Sequence, residues 1–439
     1  MYGKCGMAQI KTTSGPQVSF DDRKKEIIRR NIVALLNEVE AGSLFVGFEV
    51  SHSQHVLGSL LKVSNIEDEH QLRHLLLRAA INIKGLADPQ IPSFIEALGF
   101  AAATYLEREV KEYKLLFPLN LSPGRLPNQT SFVVGGLEFT PEGWENIRKN
   151  YDLDGFVNEI YRFIGCNRDD NLWNWGGTPL TIKLFGRNSE EVFRKAEEAY
   201  DLLRAIINFQ LDTRITVQLA RREPIAKIRP AVGYGVFSTD GKLDTPFINH
   251  EHQFLQELCT DEISPKWFTE LLEKSNEIKS DSSSLAIFFT ALKSNNNALE
   301  TTVSSNAFLS FWQALEILTY GPNENYSMSD VIARIKVFIK GNEPMIDFLN
   351  ICASRRNKLV HRGHFSPDGQ PEVLLLKPLV RHCISRFYSI IQTYPTRSSL
   401  TEMYNHSFLQ TDILTERMRV IESILTSRKT HKEPSATAT

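Results

Sequence analysis

The run Arg355-Arg356-Asn357-Lys358-Leu359-Val360-His361-Arg362-Gly363 closes an apolar-periodic segment, residues 345–360. Apolar residues recurring every three to four positions predict a helix there. Gly363 sits where a helix C-terminal glycine belongs, and Pro367 follows soon after. A helix turns about 100° per residue, so Asn357 and His361 fall on one face, one turn apart. Arg356 lies to the side of that face, within reach through its long side chain, and Arg355, Lys358 and Arg362 surround the cluster.

These residue types suit transfer at a phosphodiester. Histidine titrates near neutral pH, so it can take a proton from a ribose 2′-hydroxyl and return one to a leaving oxygen. Arginine offers a forked, permanently charged donor set to a phosphate gaining negative charge. Asparagine can orient either group. Together they can cleave RNA without a metal, leaving a cyclic phosphate. The same residues also have a purely structural reading, because a basic cluster at a helix C-terminus complements the helix dipole.

The pattern Arg356-Asn357-x-x-x-His361, at the end of the third of four helices, resembles the signature of the HEPN superfamily. Upstream, Phe311-Trp312-Gln313-Ala314-Leu315-Glu316 is similar to the W-x-A-L-E first helix of the Apea-like branch, and His361-Arg362-Gly363 matches that branch's usual ending. The resemblance covers residues 265–395, under a third of the chain. It implies a HEPN-like all-α bundle and a metal-independent endoribonuclease. His361 would be general base or acid, Arg356 transition-state stabiliser and Asn357 orienter. It further implies an RNA substrate, a homodimer whose paired motifs form one cleft, and a toxin-like effector in antiviral defence. HEPN domains also occur as non-catalytic nucleotide- or protein-binding modules, and that alternative stays open.

Composition bounds the rest. With 439 residues, 42% hydrophobic and 23% charged, the chain has room for two to three domains with ordinary cores. A net charge of −2 excludes a general polycation, so any nucleic-acid contact must come from a local patch. Residues 351–390 supply one: seven basic residues (Arg355, Arg356, Lys358, Arg362, Lys377, Arg381, Arg386) against Asp368 and Glu372. That excess fits a phosphate-binding groove, with Lys377 and Arg381 spaced to join Arg355, Lys358 and Arg362 on a substrate; solvated helix faces are often basic too. Glu316 lies in a thin polar seam of an otherwise apolar helix, and is expected to support the motif by holding Arg356.

Five scattered cysteines with no CxxC argue for free thiols in a reducing compartment. The N-terminus lacks a signal-peptide core, and the longest apolar stretch, residues 91–106, is too short to span a bilayer; a cytoplasmic protein with no membrane association is expected. His52, His55, His70 and His74 have no cysteine nearby, and the acidic run 67–69 reads as a solvated first turn, so neither metal nor cofactor is expected.

Along the chain, residues 1–20 are polar and aperiodic and read as disordered. Residues 21–250 form a candidate sensing or regulatory region whose trigger no sequence feature names. It is helical over 21–113, with helices at 22–40, 66–83 and 91–113 and a weak strand at 43–50. Over 114–245 it becomes a mixed sheet, with strands at 114–121, 131–139, 178–185, 214–219 and 229–237. Thr140-Pro141-Glu142 reads as an N-cap followed by a first-turn proline, and Asn188-Ser189-Glu190-Glu191 as a capping box for a helix to residue 209. Residues 265–395 form the helical domain, with helices at 267–278, 285–299, 304–320, 327–339, 345–360 and 379–392. Residues 396–439 hold one more helix, 408–425, and a polar tail. The fold class is therefore α+β, with a mixed helical and α/β region followed by an all-α bundle.

Overall fold

A computed structural model describes residues 7–10, 16–40, 52–66, 69–84, 91–127, 130–164, 177–211, 225–248, 258–278, 283–320, 327–362, 370–407 and 411–430. The chain is mixed α+β, and it divides into two compact units. One comprises residues 1–113 with 184–192; the other comprises 114–183 with 193–439. The mixed sheet thus belongs with the C-terminal helices rather than with residues 21–113. Expected strands 43–50 and 214–219, and Gly363 and Pro367, lie outside the described residues.

In the first unit, β1 (Met7–Ile10), β2 (Val18–Asp21) and β3 (Leu61–Val63) form an antiparallel sheet in that order. Against it pack α1 (Lys25–Glu40), α2 (His52–Leu60), α3 (Glu69–Ile83) and α4 (Ile91–Leu106). Ile28, Ile32 and Leu35 follow the helical period on α1, and meet Leu75, Leu76 and Ala79 of α3 and Phe94, Ile95 and Leu98 of α4 in one dry core. Asp21 caps the turn that leads into α1, its Oδ1 accepting from the Arg23 backbone N–H at 3.1 Å. The arginine beside it holds the Asp21 carboxyl below the usual carboxylate range.

The second unit carries a six-stranded sheet. Its strands are β4 (Lys111–Leu119), β5 (Phe132–Val134), β6 (Leu137–Pro141), β7 (Thr178–Gly186), β8 (Gly233–Ser238) and β9 (Leu243–Ile248), in the order β5-β6-β7-β4-β8-β9. The pairs β5/β6, β6/β7 and β8/β9 are antiparallel. Helices α5 (Trp144–Asn150), α6 (Leu153–Ile164) and α7 (Ser189–Leu211) belong to the same region.

Several local expectations are corrected here. Helix 91–113 ends at Leu106, and residues 111–113 start β4. Residues 131–139 are a hairpin, not one strand. Gly135 and Gly136 adopt φ of 58° and 79°, the left-handed conformation a tight two-residue turn demands. Thr140 and Pro141 pair with Thr181 and Leu180 instead of starting a helix. The helix begins three residues after Pro141, at Trp144 behind Gly143. Cross-strand pairing has overridden a capping signal that is local and weak. At α7 the cap has the expected ends in altered form: Asn188 Oδ1 accepts from Glu191 N at 2.7 Å, while Glu191 reaches back to Arg187 N at 2.8 Å.

The remaining helices are α8 (Pro265–Asn276), α9 (Ser284–Glu300), α10 (Ser304–Tyr320), α11 (Met328–Phe338), α12 (Glu343–Arg362), α13 (Gln370–Ile391), α14 (Arg397–His406) and α15 (Thr411–Thr430). The sequence reading missed α2, α6 and α14. It also started α13 too late, because the helix runs through Pro378. α8 closes the β5 edge of the sheet. Asn276 Nδ2 donates to Val133 O of the β5 edge at 3.0 Å, and its Oδ1 accepts from Gly136 N in the hairpin turn at 2.9 Å.

α10 is the axis of the helical layer, touching α9, α11, α12 and α13. Its apolar circumference predicts this: Phe308, Phe311, Trp312 and Leu315 are fully buried. Its C-terminal carbonyls are also satisfied, Leu318 O by Tyr404 Oη at 2.9 Å and Thr319 O by Arg334 Nη1 at 2.8 Å. α7 is bound to α9 by polar bonds. The buried Arg204 pairs with Glu300 and with Asp201 (2.5 Å), and Asn208 Nδ2 donates to Asn296 Oδ1 at 2.7 Å. Among the described residues, no helix is long and apolar enough to cross a membrane.

Candidate functional site

The site is built on the contact of α12 with α10. Leu349, Cys352 and Ala353 form the buried row of α12, and the helical repeat carries that row to position 356. Arg356 therefore points at α10 for the same reason the apolar residues before it do. Opposite stands Glu316, only 8% exposed in the thin polar seam of α10. Arg356 Nη2 lies 3.2 Å from Glu316 Oε1, and the same oxygen accepts from Trp312 Nε1 at 2.7 Å. A buried carboxylate needs such donors, since desolvation without them costs several kcal/mol. The Trp312–Glu316 spacing of four residues was visible in the sequence, but the donor role of the indole was not assigned. That spacing on a buried helix was the available signal.

Asn357, next on α12, is half-buried, and His361 is exposed one turn later. Lys358 is exposed and Arg355 is half-buried and engaged within the protein. The five-residue offset sets Arg356 and His361 about 140° apart around the helix axis. The pair Asn357/His361 therefore presents outward, while the guanidinium is drawn in toward α10. Arg362 is the last residue of α12, and its side chain lies outside the described residues.

The α13 basic residues are placed differently from the expected groove. Lys377 is buried and engaged within the protein. Arg381 donates from Nη1 to Phe209 O at 2.7 Å, and its guanidinium lies 5.2 Å from the Phe209 ring centroid. It thus caps the last turn of α7, satisfying a carbonyl that helix geometry leaves open. Arg386 remains exposed. Beside the motif on α12, Lys358 and His361 are the exposed side chains of the cluster.

Elsewhere, in the first unit, His74 Nε2 lies 2.8 Å from Glu190 Oε1, an ion pair when the imidazole is protonated. Among the described residues, no group of three or more His, Cys, Asp or Glu is placed to hold a metal ion. No family model matches the chain, and neither the curated proteins nor the solved structures contain a significant match.

Proposed function

We propose that this protein is a metal-independent endoribonuclease of HEPN type, acting through Arg356, Asn357 and His361. One observation carries the reading: Glu316 fastens the motif arginine to α10 while the motif histidine stands exposed on the same helix. That division suits acid–base work on a polymer, which needs an accessible imidazole and a guanidinium with few rotamers.

In this reading His361 removes the proton of a ribose 2′-hydroxyl. The alkoxide attacks the adjacent phosphorus, the bond to the 5′-oxygen breaks, and that oxygen takes up a proton. A 2′,3′-cyclic phosphate and a 5′-hydroxyl remain. Arg356 offsets charge on the phosphoryl oxygens, and Asn357 orients the imidazole or the ribose. Lys358, exposed on α12, holds a flanking phosphate, with Arg355 and Arg362 adjoining it. A homodimer facing its two motifs would form one RNA cleft. Residues 1–250 would restrain the nuclease until a trigger arrives, the behaviour of a toxin-like defence effector.

A second reading has its own support. A guanidinium engaged by a buried carboxylate is also a structural brace, as expected of a non-catalytic nucleotide- or protein-binding module. Incubating the purified chain with total RNA in the presence of a chelator separates the two. Cyclic-phosphate ends formed by wild type and lost in His361→Ala support the nuclease. Identical behaviour of both proteins supports the module.

A further inference from the structure

α15 is held sparingly. From residue 412 to residue 426 its side chains are exposed, apart from Leu414, which is half-buried. A polar contact ties it to α14: Arg417 Nη1 lies 3.0 Å from His406 Nδ1. On the other side of the same imidazole, Nε2 lies 3.1 Å from Glu402 Oε2, one turn earlier on α14. The His406 side chain is 38% exposed, so solvent protons reach it.

The chemistry of these three groups fixes the tautomer. A guanidinium donates, cannot accept, and stays protonated. His406 Nδ1 must therefore accept from Arg417. That leaves the ring hydrogen on Nε2, which donates it to Glu402. A second proton on the ring goes to Nδ1. The acceptor is then lost, and two cations face each other across the same gap. The bond between α14 and α15 exists only while His406 is neutral.

The surrounding charges give the direction. Glu402 and the carbonyl end of α14 belong to the same helix as His406, so they act equally whether α15 is docked or free. Arg334 of α11 stacks over the Tyr404 ring, two residues before His406, and donates to Thr319 O; it too stays in place. Of these groups, Arg417 alone departs with α15, and it opposes the proton. The docked state thus binds fewer protons than the released state, so docking is favoured above the titration of the imidazole and lost as pH falls through it.

We propose that His406 is a pH latch for α15: neutral, it holds the helix through Arg417; protonated, it lets the helix go. The latch uses no residue of the α10–α12 site, so it stands or falls independently of RNA cleavage.

Amide hydrogen exchange on the full chain, at about pH 7.5 and about pH 5 and corrected for intrinsic rates, tests it. A released helix of this length is marginal in water, so protection across residues 411–426 should drop about fivefold at the lower pH, while α10 stays protected as the internal reference. His406→Gln keeps an oxygen that accepts from Arg417 and does not titrate, so it should hold α15 at both pH values. His406→Leu and Arg417→Ala should give the low protection at both. A wild-type α15 equally protected at the two pH values overturns the proposal. So does a pH dependence that survives in His406→Gln or in Arg417→Ala.

Discussion

Arg356 and Glu316 join α12 to α10 through a single oxygen, Glu316 Oε1, which also receives the Trp312 indole. The pair is largely shielded, with side-chain exposures of 24% for the arginine and 11% for the glutamate. Removing one partner is expected to cost more than the pair contributes, because the other is left desolvated. Glu316→Ala should lower unfolding free energy by about 1–3 kcal/mol in urea titration. The double variant with Arg356→Ala should fall short of the sum of the single losses. Strict additivity would mean that the contact has no energetic content.

His361 is exposed, so its loss should leave the fold intact. His361→Ala is expected to unfold within about 0.5 kcal/mol of wild type. If the chain cleaves RNA, the same change should reduce cleavage by at least about 100-fold. Loss of stability comparable to that of Glu316→Ala would show that the imidazole supports the fold instead.

Arg204 is a buried charge held by two carboxylates. Its guanidinium joins Glu300 on α9 and Asp201 on α7, and these carboxylates keep it cationic in spite of its burial. Glu300→Ala is expected to cost about 3–5 kcal/mol, the usual consequence of stranding a buried charge. Arg204→Met, together with Glu300→Leu, should recover much of that loss. Chemical denaturation followed by tryptophan fluorescence reads both, and no recovery in the double variant would contradict the stranded-charge account.

Glu197, two turns earlier on α7, supplies a pH dependence. Burial, the dominant cause, pushes its carboxyl above the ordinary value of 4.5; Arg194 opposes the rise and Asp201 reinforces it. The folded chain therefore holds this proton more tightly than the unfolded chain. Its contribution to stability is fully present below the unfolded value and is lost as pH rises through the folded one. Glu197→Gln should accordingly stabilise the protein at neutral pH, on the order of 0.5 kcal/mol, with the gain vanishing near pH 4. Thermal melts across that range measure it, and a gain that grows on acidification would reverse the sign.

Asn276 ties α8 to the β5 edge and to the hairpin turn, bonding Val133 O and Gly136 N at once. Asn276→Ala is expected to cost about 1–2 kcal/mol and to speed amide exchange at Gly136. Unchanged exchange there would mean that the edge is protected by packing alone.

Helices α9, α10 and α11 were legible because their signals are local. Ser283 and Ser327 cap their helices, and α10 shows an apolar surface nearly all round, so their limits follow from periodicity and capping. The β5–β6 hairpin was misread because Gly135-Gly136 interrupts one continuous β-prone run. The sheet, not the dipeptide, determines whether that interruption is a turn. The sequence by itself determined which residues were candidates for chemistry, the run 355–362 and Glu316, since residue types and helical spacing are written in one dimension. Only the tertiary structure decided their partners. Arg356 turns to Glu316 because α10 lies against the buried row of α12, and Arg381 turns to Phe209, 172 residues earlier in the chain, because α13 meets the end of α7. Contacts at that separation depend on how elements dock, and no local period encodes docking.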